Sequence, residues 1–188
     1  MKLLFVTTNR GKYLVGRKIL AEYGIKLSQT VLSIPEIQGD VREIAQYKAR
    51  EAFKQLQAPL LVLDAGFCIP SLRGFPGAYA SYSLKTIGVT GLLSLVGTKG
   101  SICYFHEVLC YCSSSVTKTF EAKLWGRLSR EPRGEMKAYH WSELAMVFVP
   151  RGHSKTLAEL NRHVYEKTLD KLQRYWRQLG RYLKKTGQ

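Results

Sequence analysis

Residues 3–20 read LLFVTTNRGKYLVGRKIL. An apolar run from Leu3 to Val6 has the length and character of a buried strand. It stops at Thr7, Thr8 and Asn9, and from Lys12 to Tyr23 the apolar positions recur at helical spacing, with Gly24 as a stop. A strand feeding a helix through two hydroxyls, an amide and a lysine is one half of an α/β unit. It admits two readings. Thr and Asn cap helices, and the same groups at a helix N-terminus suit the oxygens of a phosphate.

Working outward, strands and helices interleave. Residues 25–34, IKLSQTVLSI, read as a strand, and Asp40 is placed to cap a helix over 41–56 with Ile44, Tyr47, Ala49 and Phe53 on its buried face. PLLVLDAGF (59–67) is an apolar strand with an acid, Asp64, near its end. LRGFPGAYA (72–80) is a Gly/Pro loop, and 88–96 a short helix. SICYFHEVLCYCSSS (101–115) and TKTFEAKLWGRLS (117–129) form a hairpin, 131–143 a loop, and LAMVFVP (144–150) a strand. Over 157–183, Tyr165, Leu169, Leu172, Trp176, Leu179 and Leu183 make one apolar stripe, which predicts a single long helix. The pattern as a whole predicts a mixed α/β domain over 1–188.

Composition narrows the function classes. The chain has 188 residues and a formal charge of +15, with 29 Lys+Arg against 14 Asp+Glu. That excess favours polyanionic partners. Ten of the cations follow residue 150, against three acids, so the C-terminal helix is a candidate surface for nucleic acid or an acidic partner. No run approaches the ~20 apolar residues of a membrane helix, and nothing at the N-terminus reads as a signal peptide, so a cytoplasmic protein without membrane contact is expected. Cys68, Cys103, Cys110 and Cys112 lack metal-site spacing and are expected to be reduced core thiols.

Ligands of open α/β sheets collect beyond the carboxyl ends of the strands. Those ends offer Thr7, Thr8, Asn9 and Lys12 in one place and Asp64 in another, with Glu36 and Lys48 as further candidates. Gly66 is among the glycines that would let backbone approach a ligand. Hydroxyls, an amide and lysines suit a polyphosphate, and two carboxylates suit Mg²⁺, which prefers oxygen and bridges to phosphates.

The ordered set TTNRGK (7–12), PEIQGD (35–40), VLDAGF (62–67), GFPGAY (74–79), EPRG (131–134) and VFVPRGHSKTLAEL (147–160) resembles the inosine/xanthosine triphosphate pyrophosphatase family. The resemblance implies an elongated mixed sheet with flanking helices, two lobes around a nucleotide cleft, and a homodimer. It implies Mg²⁺-dependent cleavage of purine nucleoside triphosphates such as ITP, dITP and XTP to monophosphate and pyrophosphate. By that resemblance Thr7, Asn9 and Lys12 belong to the triphosphate loop, Glu36 to the metal and Asp64 to the metal and the attacking water. Lys48 matches the lysine of the family's following helix, Trp141 belongs to base stacking and Lys167 to the base end, with Asp64, Lys12 and Lys48 as the catalytic set. Two features depart from the family pattern. Leu63 and Ala65 stand where the family has an acid and a hydroxyl, and its Ser-His-Arg is absent. A second reading therefore stands beside the first: a weak or inactive relative that binds nucleotide, nucleic acid or a protein partner.

Overall fold

In the computed structural model, which describes residues 1–187, twelve elements follow one another. They are β1 (Lys2–Val6), α1 (Arg10–Ala21), β2 (Lys26–Thr30), α2 (Val41–Leu56), β3 (Leu60–Cys68), β4 (Pro76–Gly77), α3 (Ala80–Val96), β5 (Ile102–Cys112), β6 (Thr117–Leu128), β7 (Phe148–Pro150), α4 (Arg162–Leu169) and α5 (Arg174–Thr186). The strands form one mixed seven-stranded sheet in the order β2-β1-β3-β5-β6-β7, with β4 added to β3. β1 runs parallel to β2 and β3, while β6 and β7 are antiparallel. The α/β expectation holds.

The chain divides into two compact units, one of residues 1–65, 107–122 and 173 onward, the other of 66–106 and 123–172. In the first, the core gathers around Phe5, Leu20, Leu27, Leu61 and Trp176, each no more than 3% exposed. The Trp176 ring meets Phe5 edge-on at 5.3 Å and lies over Gly16, where an added Cβ would come within 2.5 Å of the indole. Glycine is needed there because α5 crosses α1 with no room for a side chain between them. In the second unit Phe67, Phe105 and Phe148 pack ring to ring, with centroids 4.8–6.0 Å apart.

Several sequence expectations are corrected. The long C-terminal helix is two helices: α4 begins after Asn161, whose side chain caps Val164 N, and turns at residues 170–173 separate it from α5. The apolar stripe is real, since all six of its members are buried. It is shared out, however: Tyr165, Leu169 and Leu172 pack in the second unit, and Trp176, Leu179 and Leu183 in the first. On α2 the deepest positions are Ile44, Ala45, Ala49 and Ala52, with Tyr47 and Phe53 only half-buried. Small side chains let a helix approach its sheet closely, and the larger rings are left at the margin. The helix expected over 88–96 starts eight residues earlier as α3 and bends at Gly88, whose φ of 65° breaks the helical run. The strand expected over 144–150 shrinks to β7, preceded by a 3₁₀ turn over Glu143–Met146. All four cysteines are buried and none is in a disulfide, as expected of core thiols.

Candidate active site

The strand-to-helix junction at 7–12 is both a cap and a polar pocket wall. Asn9 is the N-cap of α1: its Oδ1 accepts from Lys12 N at 2.9 Å, and its own N–H donates to Thr7 Oγ1 at 3.1 Å. The loop is pinned from the next strand, with Thr7 N donating to Thr30 O at 3.0 Å and Gln29 Nε2 donating to Thr7 O at 3.0 Å. With its carbonyl committed to the cap, Asn9 retains its Nδ2 amide as a donor. The Lys12 ammonium, on the first turn of α1, has no carboxylate partner among the described residues.

A cavity of about 320 Å³ in the first unit is lined by Thr7, Thr8, Asn9 and Lys12 together with Glu36, Lys48 and Asp64, and Leu32, Ile34 and Leu63 supply apolar wall. Seven of the candidate residues are thus brought together. Asp64 comes from β3, adjacent to β1 in the sheet, so its side chain stands beside the loop that leaves β1. Lys48 comes from the middle of α2, which is fixed by a capping box at Asp40 and Glu43. Glu36 lies on the irregular segment between β2 and α2. The expected strand over 25–34 ends at Thr30, and the extended chain beyond it lines the cavity.

Lys48 joins the two carboxylates. Its Nζ lies 2.8 Å from Glu36 Oε1 and 3.0 Å from Asp64 Oδ2. Glu36 is on the rim with 74% of its side chain exposed, whereas Asp64 and Lys48 are 19% exposed. Burial by itself would lower the Lys48 pKa. Glu36 and Asp64 together outweigh it, so the ammonium is held above its ordinary value and is charged at neutral pH. Asp64 Oδ1 accepts from Ala65 N at 3.3 Å. Oδ2 is buried and faces the Lys48 ammonium at 3.0 Å, an ion pair that offsets the cost of burying its charge. A carboxylate in this setting suits a cation. Among the described residues no group of three His, Cys, Asp or Glu could hold a metal by itself. Two carboxylates nevertheless fit Mg²⁺, which is commonly held by one or two acids and completes its shell with water and phosphate.

The remaining candidates belong to the second unit. Gly66 is buried within β3 and does not line the cavity. Trp141 is 53% exposed, with its ring 6.4 Å from Phe105 and 6.5 Å from Tyr165. Lys167 is exposed on α4. His140 has no partner at ligand spacing in the sequence and reads there as a satisfied or surface histidine. Its Nδ1 accepts from Lys137 N at 3.1 Å, which puts the ring proton on Nε2, and that atom is buried with no hydrogen-bond partner. Burial, with Lys137 adding to it, lowers its pKa, so the ring is neutral near pH 7. The walls Leu32 and Ile34 were missed; they read as strand residues, and their apolar character gave no other signal.

A sequence model of the Ham1 family matches residues 3–171. A dITP/XTP pyrophosphatase of Methanopyrus kandleri is 40% identical over 163 residues, covering 85% of each chain. One of Thermococcus kodakarensis is 35% identical over 162 residues, again 85% of each. A HAM1 protein structure from Coxiella burnetii superposes with a TM-score of 0.84 at 23% identity, covering 98% of this chain and 99% of the other, so the backbone architecture is the same.

Proposed function

The chain belongs to the Ham1 family, and on that footing we propose that it hydrolyses purine nucleoside triphosphates such as ITP, dITP and XTP to monophosphate and pyrophosphate. One observation carries the reading: two carboxylates, two lysines and the Thr7-Thr8-Asn9 loop converge on a single cavity. Phosphoryl and nucleotidyl displacements depend above all on positioning and charge neutralisation, and this cavity is equipped for both. Thr7, Thr8 and the Asn9 amide would take phosphate oxygens. Lys12 would balance charge at the end of the chain of phosphates, helped by the positive end of the α1 dipole. Lys48 would do the same beside the reacting phosphorus. Glu36 and Asp64 would hold Mg²⁺, which supplies further charge neutralisation at the phosphate oxygens. Asp64, the more buried acid, would also orient the attacking water. At the base end Trp141 offers an exposed indole for stacking and Lys167 a cation. Without the Ser-His-Arg set, base reading loses hydrogen bonds on which discrimination rests, so the preference for ITP over GTP is expected to be shallow.

The test is pyrophosphate release from a panel of ribo- and deoxynucleoside triphosphates with and without Mg²⁺. Pyrophosphate and monophosphate in equal amounts, dependent on Mg²⁺, are expected; release of orthophosphate would refute the reaction class. Lys12→Ala is expected to raise KM for triphosphates by roughly ten- to a hundredfold, the equivalent of a charge-assisted contact. Nucleoside binding should be almost unchanged. Equal losses for both ligands in calorimetry would return Lys12 to a merely structural part in the helix start.

A non-hydrolysing, nucleotide-binding relative is the second reading. Leu63 favours it, since an apolar side chain lines the cavity where the family places an acid. It predicts triphosphate binding with no turnover in the same panel. We carry two further parts with the proposal, a homodimer, which sedimentation of the purified chain would reveal, and a cytoplasmic location. No helix among the described residues is long and apolar enough to cross a membrane.

A further inference from the structure

We propose that α5 and the adjoining α1 form a docking face for the phosphate backbone of a nucleic-acid duplex, independent of base sequence and of the nucleotide cavity. The sequence match to the Ham1 family ends at residue 171, before α5 begins at Arg174, whereas the structural match extends over 98% of the chain, so the backbone of this helix is shared and its charge pattern belongs to this sequence. Its inner face is fully committed: Tyr175, Trp176, Leu179, Gly180 and Leu183 are buried. Every charged residue on it, Arg174, Arg177, Arg181, Lys184 and Lys185, is exposed and positive, and no acid follows Asp170.

Stability of the helix does not account for that pattern. Cations favour the last turn, where Lys184 and Lys185 lie, but Arg174 and Arg177 stand in the first turn, against the helix dipole. Arg174 with Arg177, and Arg177 with Arg181, are like-charge neighbours three and four residues apart, an arrangement that destabilises a helix. Among the described residues none of these five cations is in an ion pair, and Arg181 Nε reaches only the Arg177 carbonyl, at 3.3 Å. A polyanion would reverse the sign of each of these repulsive terms.

The geometry selects the occupant. Residues 174, 177, 181 and 185 follow one line along the helix, in steps of about 5 Å over roughly 16 Å. A duplex presents about one phosphate every 3.4 Å along each strand, so four cations in line meet a continuous ladder of charge. Helix α1 packs beside α5, with Trp176 against Gly16 and Tyr23 against Gly180, and adds Arg10, Arg17 and Lys18, all exposed. An anionic bilayer is disfavoured as the occupant, because an interfacial helix needs an apolar face to insert and that of α5 is buried in its own core. Base stacking is also disfavoured. The α5 ring toward the outside, Tyr182, is half-buried beneath Lys118 at 4.5 Å and beside Phe120 at 5.7 Å, and on α1 the half-buried Tyr13 ring is covered by Arg17 at 5.6 Å. What remains is contact with phosphate alone.

The experiment is fluorescence anisotropy of a short labelled mixed-sequence duplex with the full chain, over a salt series. Binding at about 50 mM salt should weaken roughly a hundredfold by about 200 mM, the dependence expected when four phosphates are neutralised. The triple variant R174Q/R177Q/R181Q should bind at least tenfold more weakly with a shallower salt slope. Its thermal melt should lie at or above that of the parent and its nucleotide turnover should match, and the single variant Arg177→Glu should weaken binding in the same direction. Absence of binding at low salt overturns the proposal. So does a triple variant that binds as well as the parent, or phosphatidylserine vesicles that bind while the duplex does not.

Discussion

Asp64→Asn is expected to leave the fold intact and to lower pyrophosphate release by roughly 10²–10⁴-fold, the range that a positioned acid–base group contributes. Asparagine keeps the shape of the side chain, and its carbonyl can still accept the 3.3 Å bond from Ala65 N. What it loses is the charge at Oδ2 and with it one of the two ion pairs of Lys48, 3.0 Å away, at a residue that lines the cavity. Lys48 keeps Glu36 at 2.8 Å, so no cation is stranded by the substitution. The variant should melt within a degree or two of the parent and require more Mg²⁺ for half-maximal rate. A folded variant with unchanged turnover would remove Asp64 from the site.

Trp176→Ala is expected to destabilise the chain by about 3–5 kcal/mol, the usual cost of removing a large buried aromatic. The indole is 1% exposed, stacks edge-on with Phe5 and fills the space that Gly16 leaves open. Against a total stability of about 5–15 kcal/mol, that loss is a large share. Urea denaturation followed by circular dichroism measures it. A loss under about 1 kcal/mol would mean that the helix contributes little to the core of the first unit. The conservative partner is Gly16→Ala, in which the new methyl meets the ring at 2.5 Å and destabilises by overpacking instead of by a void.

Much of the site was legible because its chemistry sits at places where local rules concentrate polar groups. Thr7, Asn9 and Lys12 stand at a strand-to-helix turn, and Asp64 interrupts an apolar run, so each is conspicuous in one dimension. The joining of Glu36 to Asp64 through Lys48 was not legible from pattern, because it depends on how α2 lies against β3, and helical periodicity leaves Lys48 looking like any half-exposed lysine. The break between α4 and α5 escaped for the opposite reason. The apolar stripe keeps its helical spacing straight through residues 170–173, although each half is buried in a different unit. Asn161 was the readable signal, a capping residue inside a supposed helix. The extent of α3 was hidden by its glycines and by the Gly/Pro loop before it.

The first unit is assembled from three stretches of chain separated by long intervals, and this bears on the order in which the protein can be made. During synthesis the loop at 7–12 emerges long before the indole at residue 176 that seats α1 against the core. Contacts so distant along the chain form slowly, since the entropy of closing the intervening loop must be overcome first. Until residue 176 leaves the ribosome, Phe5 and the underside of α1 have no lid, and an apolar surface is left open to water. The second unit needs nothing beyond residue 172, so its two stretches are complete just before α5 is made. A nascent chain arrested before α5 should therefore protect residues of the second unit from proteolysis while leaving β1 and α1 open to cleavage. The loop at 7–12, made long before α5, would be late to acquire its final shape.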